Sequence, residues 1–216
     1  ILGKVRQNPV TDLRGALKPH KVVHRASVTS PPKVGQLLRD IDRYEGYFPL
    51  VCALKLAPMV FTRPSELRAA EWKEFDLTKG EWRIPAERMK MRETHIVPLS
   101  RQALTVLEEL RLYSGEGKYL FPSIRTSVRP ISDATMLNAL RRMGYEKHEM
   151  SVHGFRSLAS TLLNESGYNA DWIERQLAHS ERNGVRAAYN YAEYLPERRR
   201  MMQEWADYLD ELKNVD

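Results

Sequence analysis

His153-Gly-Phe-Arg-Ser-Leu-Ala-Ser-Thr-Leu-Leu163 opens with an imidazole and a guanidinium three positions apart and runs on as a helical pattern. Phe155, Leu158, Ala159, Leu162 and Leu163 fall at the spacing of one helix face, so the stretch predicts a helix with chemistry in its first turn and core along its flank. A second helix follows over Asn169 to Ala178, buries Trp172, Ile173 and Leu177, and stops before His179. Leu195 to Leu212 reads as a long Arg- and Glu-rich helix whose apolar stripe is Met201, Met202, Trp205, Tyr208 and Leu209.

Working upstream, the same logic predicts further helices. Ser132 precedes Met136, Leu137, Leu140 and Met143; Ser100 precedes Leu104, Leu107 and Leu110; and Ser30-Pro31 precedes Val34, Leu37, Leu38, Ile41 and Tyr44. Phe48 to Phe61 is apolar almost throughout and reads as a core helix, since Lys55 and two prolines interrupt it and it is shorter than the ~20 residues that cross a bilayer. Pro64 starts a short helix bearing Glu66, Leu67 and Ala70, with Arg63 at its positive end. Strand character is confined to Trp82-Arg-Ile84 and Thr94 to Leu99, joined by the polar turn Glu87 to Glu93 that carries Lys90. Everything beyond Ser100 reads as helical. The expected fold class is therefore mainly α with a small antiparallel β-hairpin or sheet, an α+β arrangement.

The 216 residues suit one compact domain over residues 30–216, preceded by a basic lead-in over residues 1–29 that contains Pro9, Gly15 and Pro19. The chain starts at Ile1 without a signal-peptide pattern, and the expectation is a piece of a longer protein with a further domain upstream. A single cysteine, Cys52, excludes an intrachain disulfide and suits a reducing cytoplasm. The excess of 34 Lys and Arg over 28 Asp and Glu, a net charge of +6, favours a polyanionic partner.

The motifs supply parts for attacking a phosphodiester without metal. Arg63 and Arg156 are candidates for a guanidinium clamp on the anionic oxygens, because Arg stays charged and matches two phosphate oxygens with parallel hydrogen bonds. His179, at the negative end of its helix, is expected to be biased towards the cation and to donate a third hydrogen bond. Lys90 on its turn suits protonation of the departing 5′ oxygen, and His153 suits either the phenol proton of a tyrosine nucleophile or a phosphate oxygen. Tyr189, in Ala188-Tyr189-Asn190, is the candidate nucleophile: an aryl phosphate retains the bond energy, so the strand can be rejoined without ATP. Each group also has an ordinary use. His153 can cap a helix, Arg63 can pair with Glu66, Lys90 can belong to a solvated turn with Arg88 and Arg92, His179 can cap a helix end, and Tyr189 can pack at the surface.

Taken in order, these residues resemble the catalytic domain of tyrosine recombinases, and their wording is similar to the P4-type integrases of phages and genomic islands. The resemblance covers the chain from about residue 30. It places the family's Thr-Arg-Pro arginine, hairpin lysine, His-x-x-Arg pair, later histidine and tyrosine on Arg63, Lys90, His153, Arg156, His179 and Tyr189. One departure stands out: many members carry the tyrosine nine positions after the last histidine, where this chain has Ala188, so Tyr191 and Tyr194 are rivals to Tyr189. The resemblance implies site-specific integration through a 3′-phosphotyrosine in a bacterial cytoplasm, at the nucleoid, with no metal or other cofactor. It further implies double-stranded attachment sites, a homotetramer on DNA that often trades its last helix between subunits, DNA-bending accessory proteins and no membrane. The competing readings are a helical DNA-binding module without chemistry and a type IB topoisomerase; a metal nuclease lacks its carboxylate cluster in this sequence.

Overall fold

The computed structural model describes residues 26–90, 92–179 and 194–215. Helix α1 spans Pro31–Arg43, begins with prolines whose missing N–H groups are not needed in the first turn, and buries Val34, Leu37, Leu38 and Ile41. Helix α2, Phe48–Val60, is apolar on nearly every side and occupies the centre of the molecule. It ends at Phe61, which adopts the left-handed conformation at φ 34°. Around it pack α4 (Arg101–Ser114), α5 (Asp133–Arg142) and α6 (Gly154–Glu165), together with the short α3 (Pro64–Arg68). Helix α7 spans Ala170–Gln176, and the last helix, α8, spans Leu195–Asn214 and lies against both α1 and α2. Trp205 of α8 donates its indole N–H to the Pro58 carbonyl at 2.9 Å, serving one of the carbonyls that the last turn of α2 leaves unpaired. None of the helices among the described residues is long and apolar enough to cross a membrane.

The hairpin expected around Lys90 is present, within a three-stranded sheet. β1 (Phe75–Asp76), β2 (Glu81–Ile84) and β3 (His95–Pro98) form an antiparallel sheet in that order, with Trp82 opposite Val97 and Ile84 opposite His95. Trp82 is fully buried, stacks on Phe75 at 5.1 Å between ring centroids and donates to the buried Glu74 carboxylate at 2.9 Å. Cys52 lies buried in α2, and burial pushes its thiol up to about 12, so it is an inert packing group.

The expectation that everything beyond Ser100 is helical is corrected. A second, two-stranded sheet pairs β4 (Pro122–Ser123) with β5 (Thr126–Pro130). Its residues are mostly exposed, so no face carries the apolar alternation by which a strand is recognised. Helix starts were more legible. The Ser100 hydroxyl accepts from the Ala103 N–H at 3.2 Å, and the Asn169 side chain accepts from the Asp171 N–H at 2.9 Å. Ser132 occupies its N-cap position without capping, its hydroxyl being paired with that of Thr135 at 2.8 Å.

Candidate active site

The strap Leu177-Ala178-His179, just past the end of α7, is where the site assembles. Arg156 projects from the first turn of α6 and is 4% exposed. Its guanidinium donates to the Leu177 carbonyl at 2.7 Å, to the Phe61 carbonyl at 2.9 Å and to His179 Nε2 at 3.0 Å. Arg63, at the N-cap of α3, donates to the Ala178 carbonyl at 2.9 Å and to Glu66 Oε1 at 2.8 Å. Two arginines distant in sequence are thereby hung from adjacent carbonyls. Two of the residues that present these acceptors, one past α2 and one past α7, have an unusual conformation for their type: Phe61 and Ala178 both have positive φ, at 34° and 50°. Non-glycine residues pay roughly 1–2 kcal/mol for that conformation, and such strain concentrates at functional sites.

Electrostatics follow from this crowding. Burial first, and then the Arg63 charge beside it, pull the Arg156 guanidinium down to about 10, which leaves it cationic at neutral pH. The Arg63–Glu66 ion pair is real, and Glu66 also accepts from the Arg63 backbone N–H at 2.9 Å, so the ordinary helix-end use and a site role coexist in one residue. Glu66 is itself buried.

His179 stands against the second guanidinium. A guanidinium has no acceptor, so Nε2 must accept from Arg156, and the ring proton sits on Nδ1, 2.8 Å from Glu174 Oε2. Its other ring nitrogen is thereby oriented by the Glu174 carboxylate, five residues back. His153 stands at the N-cap position of α6 but makes no side-chain cap bond; its carbonyl accepts from the Arg156 N–H at 3.1 Å.

Lys90 is exposed in the connection between β2 and β3, directly after the buried Met89. That connection is pinned to α3 by a residue that sequence reasoning left as a turn cation. The Arg88 guanidinium pairs with both Glu74 carboxylate oxygens and donates to the Glu66 carbonyl at 2.6 Å. The lysine's loop and Arg63 thus share Glu66 as an anchor. Tyr189 and Tyr191 lie outside the described residues, and Tyr194 forms the N-cap of α8. Sequence reading also missed the buried Gln176 and Arg198 behind the strap; a cation at the apolar edge of the last helix was the one signal that pointed to Arg198.

Comparison with known proteins gives the family. The phage integrase family matches residues 28–195. The integrase of Enterobacteria phage P4 is 46% identical over 225 residues, covering 97% of this chain and 51% of that protein, so the chain spans about half the length of its curated relative. The Tn1549 transposon integrase, solved in complex with transposon right-end DNA, superimposes with a TM-score of 0.66 at 14% identity, covering 91% of this chain and 71% of that one. A lambda integrase tetramer bound to a Holliday junction gives 0.58 at 20% identity, covering 79% and 50%. These solved structures share the fold, the P4 protein shares the sequence, and the chain belongs to the phage integrase family.

Proposed function

We propose that residues 30–216 are the catalytic domain of a site-specific DNA recombinase, with residues 1–29 leading in from an upstream DNA-binding domain. The observation that carries this reading is the hanging of Arg63 and Arg156 from the adjacent carbonyls of Ala178 and Leu177, with the His179 imidazole against the second guanidinium. Two neighbouring cations repel unless a dianionic or developing negative charge sits between them, which is what a five-coordinate phosphorane presents. The Tyr189 phenol attacks the scissile phosphorus, the P–O5′ bond breaks, and a 3′-phosphotyrosine forms. Arg63 and Arg156 hold the nonbridging oxygens, Lys90 protonates the departing 5′ oxygen, and His153 serves the phosphate or the phenol proton. His179 orients Arg156. A 5′ hydroxyl from a second duplex then attacks the phosphotyrosine, and the phenol takes back its proton; no metal, cofactor or ATP enters the balance.

The lambda integrase tetramer on a Holliday junction supports two attachment duplexes and four subunits as the working assembly; DNA-bending accessory proteins are a further part of the proposal. The origin of the P4 relative, an Enterobacteria phage, supports a bacterial cytoplasm, and a DNA substrate would hold the protein at the nucleoid. The test uses the full-length protein and a nicked suicide duplex bearing the attachment junction mapped at the ends of the integrated element. Wild type is expected to form a denaturation-resistant adduct, and Tyr189→Phe to abolish it while DNA binding stays largely intact. Mass spectrometry placing the DNA on Tyr191 or Tyr194 reassigns the nucleophile. Absence of any adduct returns the chain to a helical DNA-binding module.

A further inference from the structure

We propose that Gln176 is a positioning residue for the phosphate clamp: its side chain locks the end of α7 to α8 and α2, so that the following three residues hold Arg63 and Arg156 in register. The proposal rests on the recombinase reading for its chemistry and on geometry alone for the lock. Helix α7 has seven residues, too short to fix its own position in water, so the place where it ends must be set by contacts made there. Gln176 makes them. It is 1% exposed. Its Oε1 accepts from both Nε and one terminal nitrogen of Arg198, at 3.2 and 2.7 Å, and its amide nitrogen reaches the Val60 carbonyl at 3.4 Å. Its own carbonyl accepts from His95 Nε2 at 3.1 Å.

Three segments therefore converge on one residue. Arg198 brings α8 and, through a 2.5 Å bond to the Ile96 carbonyl, the strand β3; His95 brings β3 a second time; Val60 brings the end of α2. The neighbours of these contacts are the anchors of the clamp. Phe61, next to Val60, and Leu177, next to Gln176, supply the two carbonyls on Arg156, and Ala178 supplies the one on Arg63. A shift of the α7 end moves the Leu177 and Ala178 acceptors and the His179 ring together, and away from the Phe61 acceptor that α2 holds. Misplacement of about 1 Å in a catalytic array costs on the order of a hundredfold in rate.

The experiment replaces Gln176 in the full-length protein and follows adduct formation at saturating nicked duplex, DNA affinity, and amide hydrogen exchange over residues 177–179. Gln176→Met matches length and removes the acceptor. It is expected to slow adduct formation by roughly tenfold to a hundredfold with the dissociation constant within about twofold, and to speed exchange over 177–179. Gln176→Glu restores an acceptor for Arg198 and is expected to return the rate to within about threefold of wild type. In combination with Arg63→Lys, Gln176→Met is expected to cost less than it does alone, because both act through the same clamp. A normal rate for Gln176→Met, a loss matched by weaker DNA binding, or no recovery with Glu overturns the proposal. If Met prevents folding, Gln176→Asn, which keeps the amide but withdraws it by one methylene, takes its place with the same expectation. If wild type itself forms no adduct, the recombinase reading falls, while unchanged exchange over 177–179 in the Met variant separately removes the lock.

Discussion

Arg156 and Arg63 hang from one strap under different constraints, and the difference decides how each responds to substitution. Three of the five N–H groups of Arg156 are committed to Phe61, Leu177 and His179, whereas Arg63 commits two, to Glu66 and Ala178. Arg63 therefore keeps more donors for a phosphate and is the cleaner probe. Arg63→Lys retains the charge but loses the planar fork, so adduct formation should fall by roughly 10²–10³ while equilibrium DNA binding changes little. Arg156→Lys should lose as much rate and in addition leave buried acceptors unpaired, costing ~1–3 kcal/mol, visible as a lower melting temperature. Cleavage that falls only in parallel with DNA affinity, at either position, removes the clamp. Lys90, exposed on its pinned loop, is argued to act as an acid. Lys90→Ala should slow cleavage strongly on ordinary DNA and far less on a 5′-bridging phosphorothioate, whose thiolate leaves without a proton. Equal losses on both substrates would assign it to binding.

At the scale of elements, the packing of α8 on α1 depends on an absent side chain. A Cβ on Gly35 would stand 2.2 Å from the Leu212 carbonyl oxygen, a backbone atom that can yield only if α8 moves. Gly35→Ala gains helix propensity within α1 and should still destabilise the protein by ~1–3 kcal/mol, because overpacking against a backbone outweighs the propensity gain. A chemical-denaturation series checks the sign, and an unchanged midpoint would mean that α8 is not held against α1 in solution. Helices of this kind were legible in the sequence from their caps and stripes: Ser100, Asn169 and the prolines of α1 mark starts that the structure retains. β4 and β5 were not legible, since an exposed two-stranded ribbon has no buried face to impose a period of two.

Across the whole molecule, one buried imidazole ties the sheet to the helices and makes stability depend on pH. His95 lies in β3, donates to the Gln176 carbonyl and is 5% exposed. Burial above all, followed by the charge of Arg198, pushes it down to about 3 from its usual value of about 6.5. The unfolded chain therefore takes up a proton that the folded one refuses. Stability from this group is fully present above pH 6.5 and is lost as the pH falls towards 3, at up to ~1.4 kcal/mol per unit. His95→Gln keeps a donor towards Gln176 and cannot titrate, so its stability should decline less than that of wild type between pH 6.5 and about 5. Parallel curves for the two proteins would show that His95 is not held neutral.

The sequence by itself determined the helices, the lysine-bearing hairpin and the order in which Arg63, Lys90, His153, Arg156, His179 and Tyr189 occur, because caps, amphipathic spacing and motif chemistry are properties of neighbouring residues. Only the tertiary structure decided how those residues are held. The acceptors for the two arginines are the backbone carbonyls of Phe61, Leu177 and Ala178, and any residue type carries a carbonyl, so nothing in the letters at those positions announces the contact. The same holds for Gln176 with Arg198 and for Arg88 with Glu66: each bond joins segments more than twenty residues apart, and its partner is chosen by where the chain returns in space. His179 is a further case: its contact with Arg156, 23 residues away, follows from where the chain returns and not from its position at a helix end.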